Sequence, residues 1–167
     1  MIWHQSHRCD PFSREIADRH YNRQSIGAKN FVPPGRCAVF KARTETGIAF
    51  WVTSWPFAEY VRHAWAGAWV CSAFRNEGAG VASEMISQAV SATRAKYEDT
   101  PELGMITFLD QRKVKPTMVR GKETWGRTWE LAGFQLVGKT KGGLLAFQLL
   151  PKNMPPPIAP LGNFDLL

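Results

Sequence analysis

Cysteine is scarce in this chain of 167 residues: Cys9, Cys37 and Cys71 are the only three, and no two stand in a C-x-x-C spacing. An odd number without metal-ligand spacing points away from a disulfide framework and a structural zinc site, and toward reduced thiols. Long apolar runs are missing too. Nothing approaches the roughly 20 apolar residues that cross a bilayer, and the opening "MIWHQSHRCD" has no apolar signal-peptide core. The expectation is a cytoplasmic protein with no membrane partner. No internal repeat is visible.

Acidic residues are also few, 14 against 21 Lys and Arg, for a net charge of +7. The excess is concentrated. From Arg19 to Arg36 the bases Arg19, Arg23, Lys29 and Arg36 stand without any acid. Between Gln111 and Arg127 six bases, Arg112, Lys113, Lys115, Arg120, Lys122 and Arg127, face the single acid Glu123, a local +5. Two such segments can form one polyanion-binding face; the alternative is solvated loops of a basic protein.

With 44% hydrophobic residues, seven Trp and ten Phe, the chain can fill one core of its own. "SREIADRHY" (13–21) reads as a short helix capped by Ser13, and 23–35 as loop. "RCAVFKA" and "GIAFWVTSW" flank a turn and predict an antiparallel hairpin, and "GAWVCSAF" (67–74) predicts a third strand. From Val81 onward Val81, Ala82, Met85, Ile86, Ala89 and Val90 follow the spacing of a buried helix face. "LGMITFLD" (103–110) predicts a central strand, followed by a polar segment over 111–123. A short helix "ETWGRTWELAG" ending at Gly133 comes next, then a closing hairpin "FQLVGKT" and "GLLAFQLL". The expectation is a single α/β (α+β) domain over 1–150, with a mixed sheet of about six strands flanked by helices. The tail 151–167 has five prolines and is expected to lie extended on the surface, where it could order against a second subunit in a homodimer.

The most informative stretch is "FRNEGAGVASEMI" (74–86). Arg75, Gly78 and Gly80 form R-x-x-G-x-G between a predicted strand and the strongest predicted helix. Glycines admit a close ligand and a helix N-terminus supplies partial positive charge, so the stretch is a candidate diphosphate cradle. A glycine-rich strand-to-helix turn is the alternative. The stretch is not the fingerprint G-x-G-x-x-G and carries no Walker lysine.

This loop, the element order around it and "ELAGF" (130–134) resemble the GNAT acyltransferase superfamily over roughly residues 13–150. The resemblance implies a GNAT-like fold in which Phe74, Arg75, Asn76, Gly78 and Gly80 hold the diphosphate of acetyl-coenzyme A or a related acyl donor. It also implies that the pantetheine arm enters between the fourth and fifth strands. Ordinary members carry a tyrosine four residues before the glycine of that last motif, as proton donor to the thiolate. Here the position is Trp129, whose indole N–H is no practical acid, so protonation comes from elsewhere or the reaction differs.

Other polar residues then gain weight. "RHYNR" puts His20 and Tyr21 at the end of the first helix, and Asp110 stands at the carboxyl end of a predicted central strand, where α/β folds commonly build sites. Imidazole, phenol and carboxylate together can bind a metal such as iron or act as acid and base. Taken singly, each also has a plain structural reading. "HYNR", "FRNEG", "MITFLD" and the basic segment together resemble the phage-encoded Mom-like DNA-modification proteins over most of residues 15–150. That resemblance implies conversion of adenine in double-stranded DNA to N6-carbamoylmethyladenine, which protects the DNA from restriction. It further implies Tyr21 and Asp110 as active-site residues, His20 as a candidate iron ligand beside them, and Arg75 in the phosphate loop.

On this reading Arg23, Lys29, Arg36, Arg112, Lys113, Lys115, Arg120, Lys122 and Arg127 are the candidate DNA contacts. Adenine N6 is a weak nucleophile buried in the duplex, so an activator and a flipped or single-stranded base are expected. Trp51, Trp55, Trp65, Trp125 and Trp129 offer ring faces, most of them core, and "SWPFAEYVRHAW" (54–65), with His63 inside it, is a candidate stacking wall or lid. Two other functions fit the same residues: a conventional acetyl-CoA-dependent N-acetyltransferase acting on a small-molecule or protein amine, and a DNA-binding module of the same fold without catalysis.

Overall fold

The computed structural model describes residues 1–166. A two-residue strand, His4–Gln5 (β1), precedes a helix over Pro11–Asp18 (α1). The cap of α1 is Asp10, whose carboxylate accepts from the Phe12 N–H at 3.0 Å, with Pro11 in the first turn where a missing N–H costs nothing. Ser13, expected as the cap, is instead buried inside the helix and hydrogen-bonded to Ser6. The expected hairpin forms from Arg36–Arg43 (β2) and Ile48–Trp55 (β3), and the third strand is Trp69–Glu77 (β4). Then come the long helix Ala82–Lys96 (α2) and the strand Met105–Leu109 (β5). The segment expected only to be polar folds into a ribbon of Thr117–Val119 (β6) and Lys122–Thr124 (β7). That ribbon shortens the following helix to Arg127–Leu131 (α3). Gln135–Lys139 (β8) and Leu145–Leu149 (β9) close the domain.

The mixed α/β architecture is as expected, with seven strands rather than about six in the main sheet, in the order β1-β2-β3-β4-β5-β9-β8. Only β4 and β5 run parallel; every other neighbouring pair is antiparallel. Both faces are covered, which is why the central strands read as near-continuous apolar runs rather than alternating ones. On one face Phe40, Trp51, Trp69, Met105 and Phe147 pack with Met85, Ile86, Ala89 and Val90 of α2. On the other, Val39, Phe50 and Val52 pack against Ile16 and Ala17 of α1 and Val32 of the following loop.

The proline-rich tail does not simply lie extended on the surface. Met154 enters the core, the Arg94 guanidinium and the Ser91 carbonyl of α2 bond its backbone, and Leu161 bridges to His4. Asp165 then pairs with Lys41, a fully buried lysine on β2 that also meets Asp10 at 2.8 Å. No helix among the described residues is long and apolar enough to cross a membrane.

Candidate active site

An irregularity in β4 creates the site. Val52 pairs with Ala73 and Thr53 with Cys71, so Ser72 is an extra residue, a β-bulge. The bulge falls where β4 parts from β5: the last parallel pair is Cys71 with Thr107. Beyond it β4 stays with β3 as far as Asn76, while β5 stays with β9 as far as Leu109. A bulge bends its strand, and the two strands separate there. Asn22 braces the bend by donating from Nδ2 to the Ser72 carbonyl at 2.7 Å, and the Ser54 and Ser72 hydroxyls meet at 2.6 Å.

Two cavities meet at this opening. The first, about 280 Å³, is lined by Phe74, Ala82, Lys115, Arg127 and Trp129 among others; the second, about 530 Å³, is lined by Asp110, Lys113, Arg23 and Val70 among others. Tyr21, Asn22, Cys71, Ser72 and Phe108 line both. The residues singled out beside the first helix and at the end of the central strand are thus brought to one place.

Their local bonding narrows what each can do. His20 accepts at Nδ1 from the Asn22 N–H at 3.2 Å, which leaves the ring proton on Nε2 to be donated to the Phe74 carbonyl at 3.1 Å. Burial lowers its pKa, so the ring stays neutral. Tyr21 stacks on it with ring centroids 4.7 Å apart. Burial raises the Tyr21 phenol, with the backbone N–H of Asp110 acting the other way. Asp110 is gripped by Arg112, Nε to Oδ1 at 3.0 Å and Nη2 to Oδ2 at 3.1 Å, and its Oδ1 also takes the Arg112 backbone N–H. The Arg112 side chain holds the Asp110 carboxyl below the usual carboxylate range. With both His20 nitrogens committed to backbone and the Asp110 carboxylate in a guanidinium fork, the three do not fit an iron ion as they stand. Among the described residues no three His, Cys, Asp or Glu gather closely enough to hold a metal.

The R-x-x-G-x-G stretch is a tight turn with its polar groups largely turned inward. Arg19 grips the Glu77 carboxylate at 2.7 Å and Arg75 donates to it from Nε at 2.6 Å, and the Arg19 bond, then the Arg75 bond, hold Glu77 down at about 2. Asn76 accepts from the Ala79 N–H and donates to the Gly80 carbonyl. Gly78 needs its glycine, at φ +82°, whereas a side chain at Gly80 would meet only ordinary contacts. The first turn of α2 begins at Val81 with no side-chain cap, so its N–H groups are free of any side-chain acceptor. The α2 terminus thus presents backbone N–H groups beside Gly80, while the Arg75 guanidinium is engaged through Nε with Glu77.

The basic residues sort into two groups. Arg23 is structural: its side chain is 7% exposed, paired with Asp18 at 2.8 Å and bonded to the Ala28 carbonyl, so it holds its own loop together. Arg36 lies over Trp55 at 4.1 Å and Arg112 is committed to Asp110. Lys29, Lys113, Lys115, Arg120, Lys122 and Arg127 are exposed and form no ion pair among the described residues. Lys113, Lys115 and Arg127 line the cavities.

Trp129 packs between Trp51, Phe74 and Phe134 and closes the first cavity from α3. His63 and Trp65 lie against Phe108, placing 54–65 next to the opening. Sequence reasoning missed Asn22 and Ser72, for which a strand reading without register offers no signal. It also passed over Gly133–Thr140, whose spacing matches the P-loop pattern G-x-x-x-x-G-K-T. Most of that string is the edge strand β8, antiparallel to β9 and followed by a turn rather than a helix, so it makes no phosphate cradle. Comparison of the chain with protein-family models, with curated proteins and with solved structures finds no match.

Proposed function

We propose that the protein is a GNAT-like transferase of the Mom type that modifies adenine N6 in double-stranded DNA. The observation that carries this reading is the opening at the Ser72 bulge, where Tyr21 lines both adjoining cavities beside Asp110 and the rim carries Lys113, Lys115 and Arg127. One cavity suits the donor and the other a flipped base. The donor would supply a carbon that carries a leaving group, a methylene carbon for a carbamoylmethyl product; if that donor bears a diphosphate, as coenzyme A does, the group would lie on the α2 terminus beside Gly80.

The shifted pKa values divide the labour. Tyr21, raised by burial, keeps its proton at neutral pH; Asp110, lowered by Arg112, is ionised. Asp110 accepts the proton that N6 releases as its bond to carbon forms. Tyr21 gives a proton to the group whose bond to that carbon breaks, and solvent restores both residues. His20, stacked under Tyr21 and tied to Phe74, positions the phenol. Trp129 leaves α3 without the acid an ordinary acetyltransferase uses, which favours this reading over acetyl transfer to a simple amine. Nucleoside mass spectrometry on DNA from expressing bacteria tests it: the wild type yields a new adenosine species, while Asp110→Asn and Tyr21→Phe yield little or none. Unmodified DNA from folded, well-expressed wild-type protein would sink it.

A further inference from the structure

The β6–β7 ribbon stands outside the main sheet, yet it is firmly rooted. Trp125 ties its two ends by donating from Nε1 to the Val114 carbonyl at 2.9 Å. At Gly126, φ +78°, a Cβ would stand 2.1 Å from the buried Phe147 ring, so the chain lies directly on the core there. Thr117 and Thr124 at its base line the first cavity.

Cross-strand pairs sort its charges. Thr117 faces Thr124 and Val119 faces Lys122, while Met118 faces Glu123. Side chains alternate along a strand, so Lys122 shares the cavity-side face with the two threonines, and Glu123 points to the opposite face. Lys115 and Arg127 extend the basic side at the ribbon's root. The turn is Arg120-Gly121, at φ +51° and +77°, the two positive values of a type I′ turn. Such turns favour Asn-Gly, and an arginine there carries backbone strain that a shorter polar residue avoids. A guanidinium is held at the tip against local preference. Three residues per strand give a reach of about 10 Å, and the major groove is about 8.5 Å deep and admits a two-stranded ribbon.

From this we infer that the β6–β7 ribbon enters the major groove of duplex DNA, with Arg120 at the base edges and Lys122 on a phosphate, and so seats the cleft over its target. The inference rests on the DNA reading above. Arginine's strongest base partner is the O6/N7 edge of guanine, so Arg120 sets a preference for guanine near the modified adenine.

The test is binding across a salt series to a duplex of about 20 base pairs, to the same duplex with 7-deazaguanine, to a single strand and to anionic vesicles. Arg120→Asn makes the favoured Asn-Gly turn and so preserves the ribbon. The wild type should prefer the duplex and lose at least about fivefold when guanine N7 is removed, and Arg120→Asn should be weaker and indifferent to that removal. Lys122→Ala should weaken all duplexes alike and lower the salt slope by about 1. Duplex binding that persists in both variants overturns the inference alone. So does equal weakening by Lys139→Ala with Lys141→Ala, a preference for single strands or vesicles, or wild-type indifference to 7-deazaguanine. A wild type that binds no duplex overturns the DNA reading and the inference with it.

Discussion

The imidazole of His20 donates from Nε2 to the carbonyl of Phe74 at 3.1 Å, tying the end of the first helix to the strand that bounds the cleft. Burial lowers the His20 pKa below its ordinary 6.5. The unfolded chain therefore binds the proton more readily, and stability present above about pH 6.5 declines as pH falls through the folded pKa. Urea midpoints at about pH 7.5 and about pH 5.5 should show that decline in the wild type and a smaller one in His20→Gln, which keeps hydrogen-bonding capacity without titrating. Equal declines would contradict the role given to His20.

Lys41 sits fully buried on β2 between Asp10 and Asp165, but its two partners differ. Asp10 is buried and also bonded to Ser6 and Phe12; burial raises its pKa, and the bonds from Lys41 and Ser6 more than reverse that. Asp165 is 48% exposed in its side chain. Asp10→Asn, which weakens a buried pair, should cost about 3–5 kcal/mol, and Asp165→Asn about 1 kcal/mol or less. Urea unfolding of the two proteins reads the ratio. Comparable costs would mean that the tail carries as much of the lysine's pairing as the helix cap does.

Glu77 is the acid that spoils a simple phosphate loop. Its carboxyl, held at about 2 by Arg19 and then Arg75, contributes stability that is complete above about pH 4.5 and is lost as pH falls through its folded value. Glu77→Gln should flatten that acid decline. It should also release Arg75 and tighten coenzyme A binding several-fold by calorimetry at neutral pH. Unchanged affinity would show that Arg75 is a strut for Glu77 and no part of a diphosphate site.

Local signals found much of the fold. The β2–β3 hairpin, α2 and β5 announce themselves by periodicity and by runs of β-branched and aromatic residues. The elements missed carry long-range logic. β1 is two residues long and exists only through distant partners, Lys41 and Phe40 on β2 and Leu161 of the tail. The ribbon's Arg-Gly turn is not a usual turn pair, and its charges mask short strands. In "RCAVFKAR" nothing local says that Lys41 turns inward to meet carboxylates 31 residues before it and 124 after it. For the site, sequence pointed to His20, Tyr21 and Asp110, and the fold does gather them. The bulge at Ser72 that opens the cleft, and the arginine that clamps Asp110, appear only with register and side-chain geometry.

That clamp makes the sharpest test of the proposed chemistry. Arg112 is 74% exposed in its side chain, yet its fork on Asp110 is the first cause of that carboxyl's lowered pKa. If Asp110 takes the proton from N6, DNA modification should require its ionised form, and the acid limb of the rate profile should follow its pKa. Arg112→Met removes the guanidinium and keeps the length of the stem. Without the clamp the Asp110 pKa should rise toward the ordinary carboxylate range, so the acid limb should move to higher pH while the rate well above it holds or increases, since the freed carboxylate is the stronger base. Rates measured on duplex DNA from about pH 3.5 to about pH 8 read both effects in one series. A limb that does not move, or a uniform fall at every pH, would make Asp110 an organiser of its own turn, through the carbonyl bonds it already gives Lys113 and Val114, and would pass the base to another residue of the cleft.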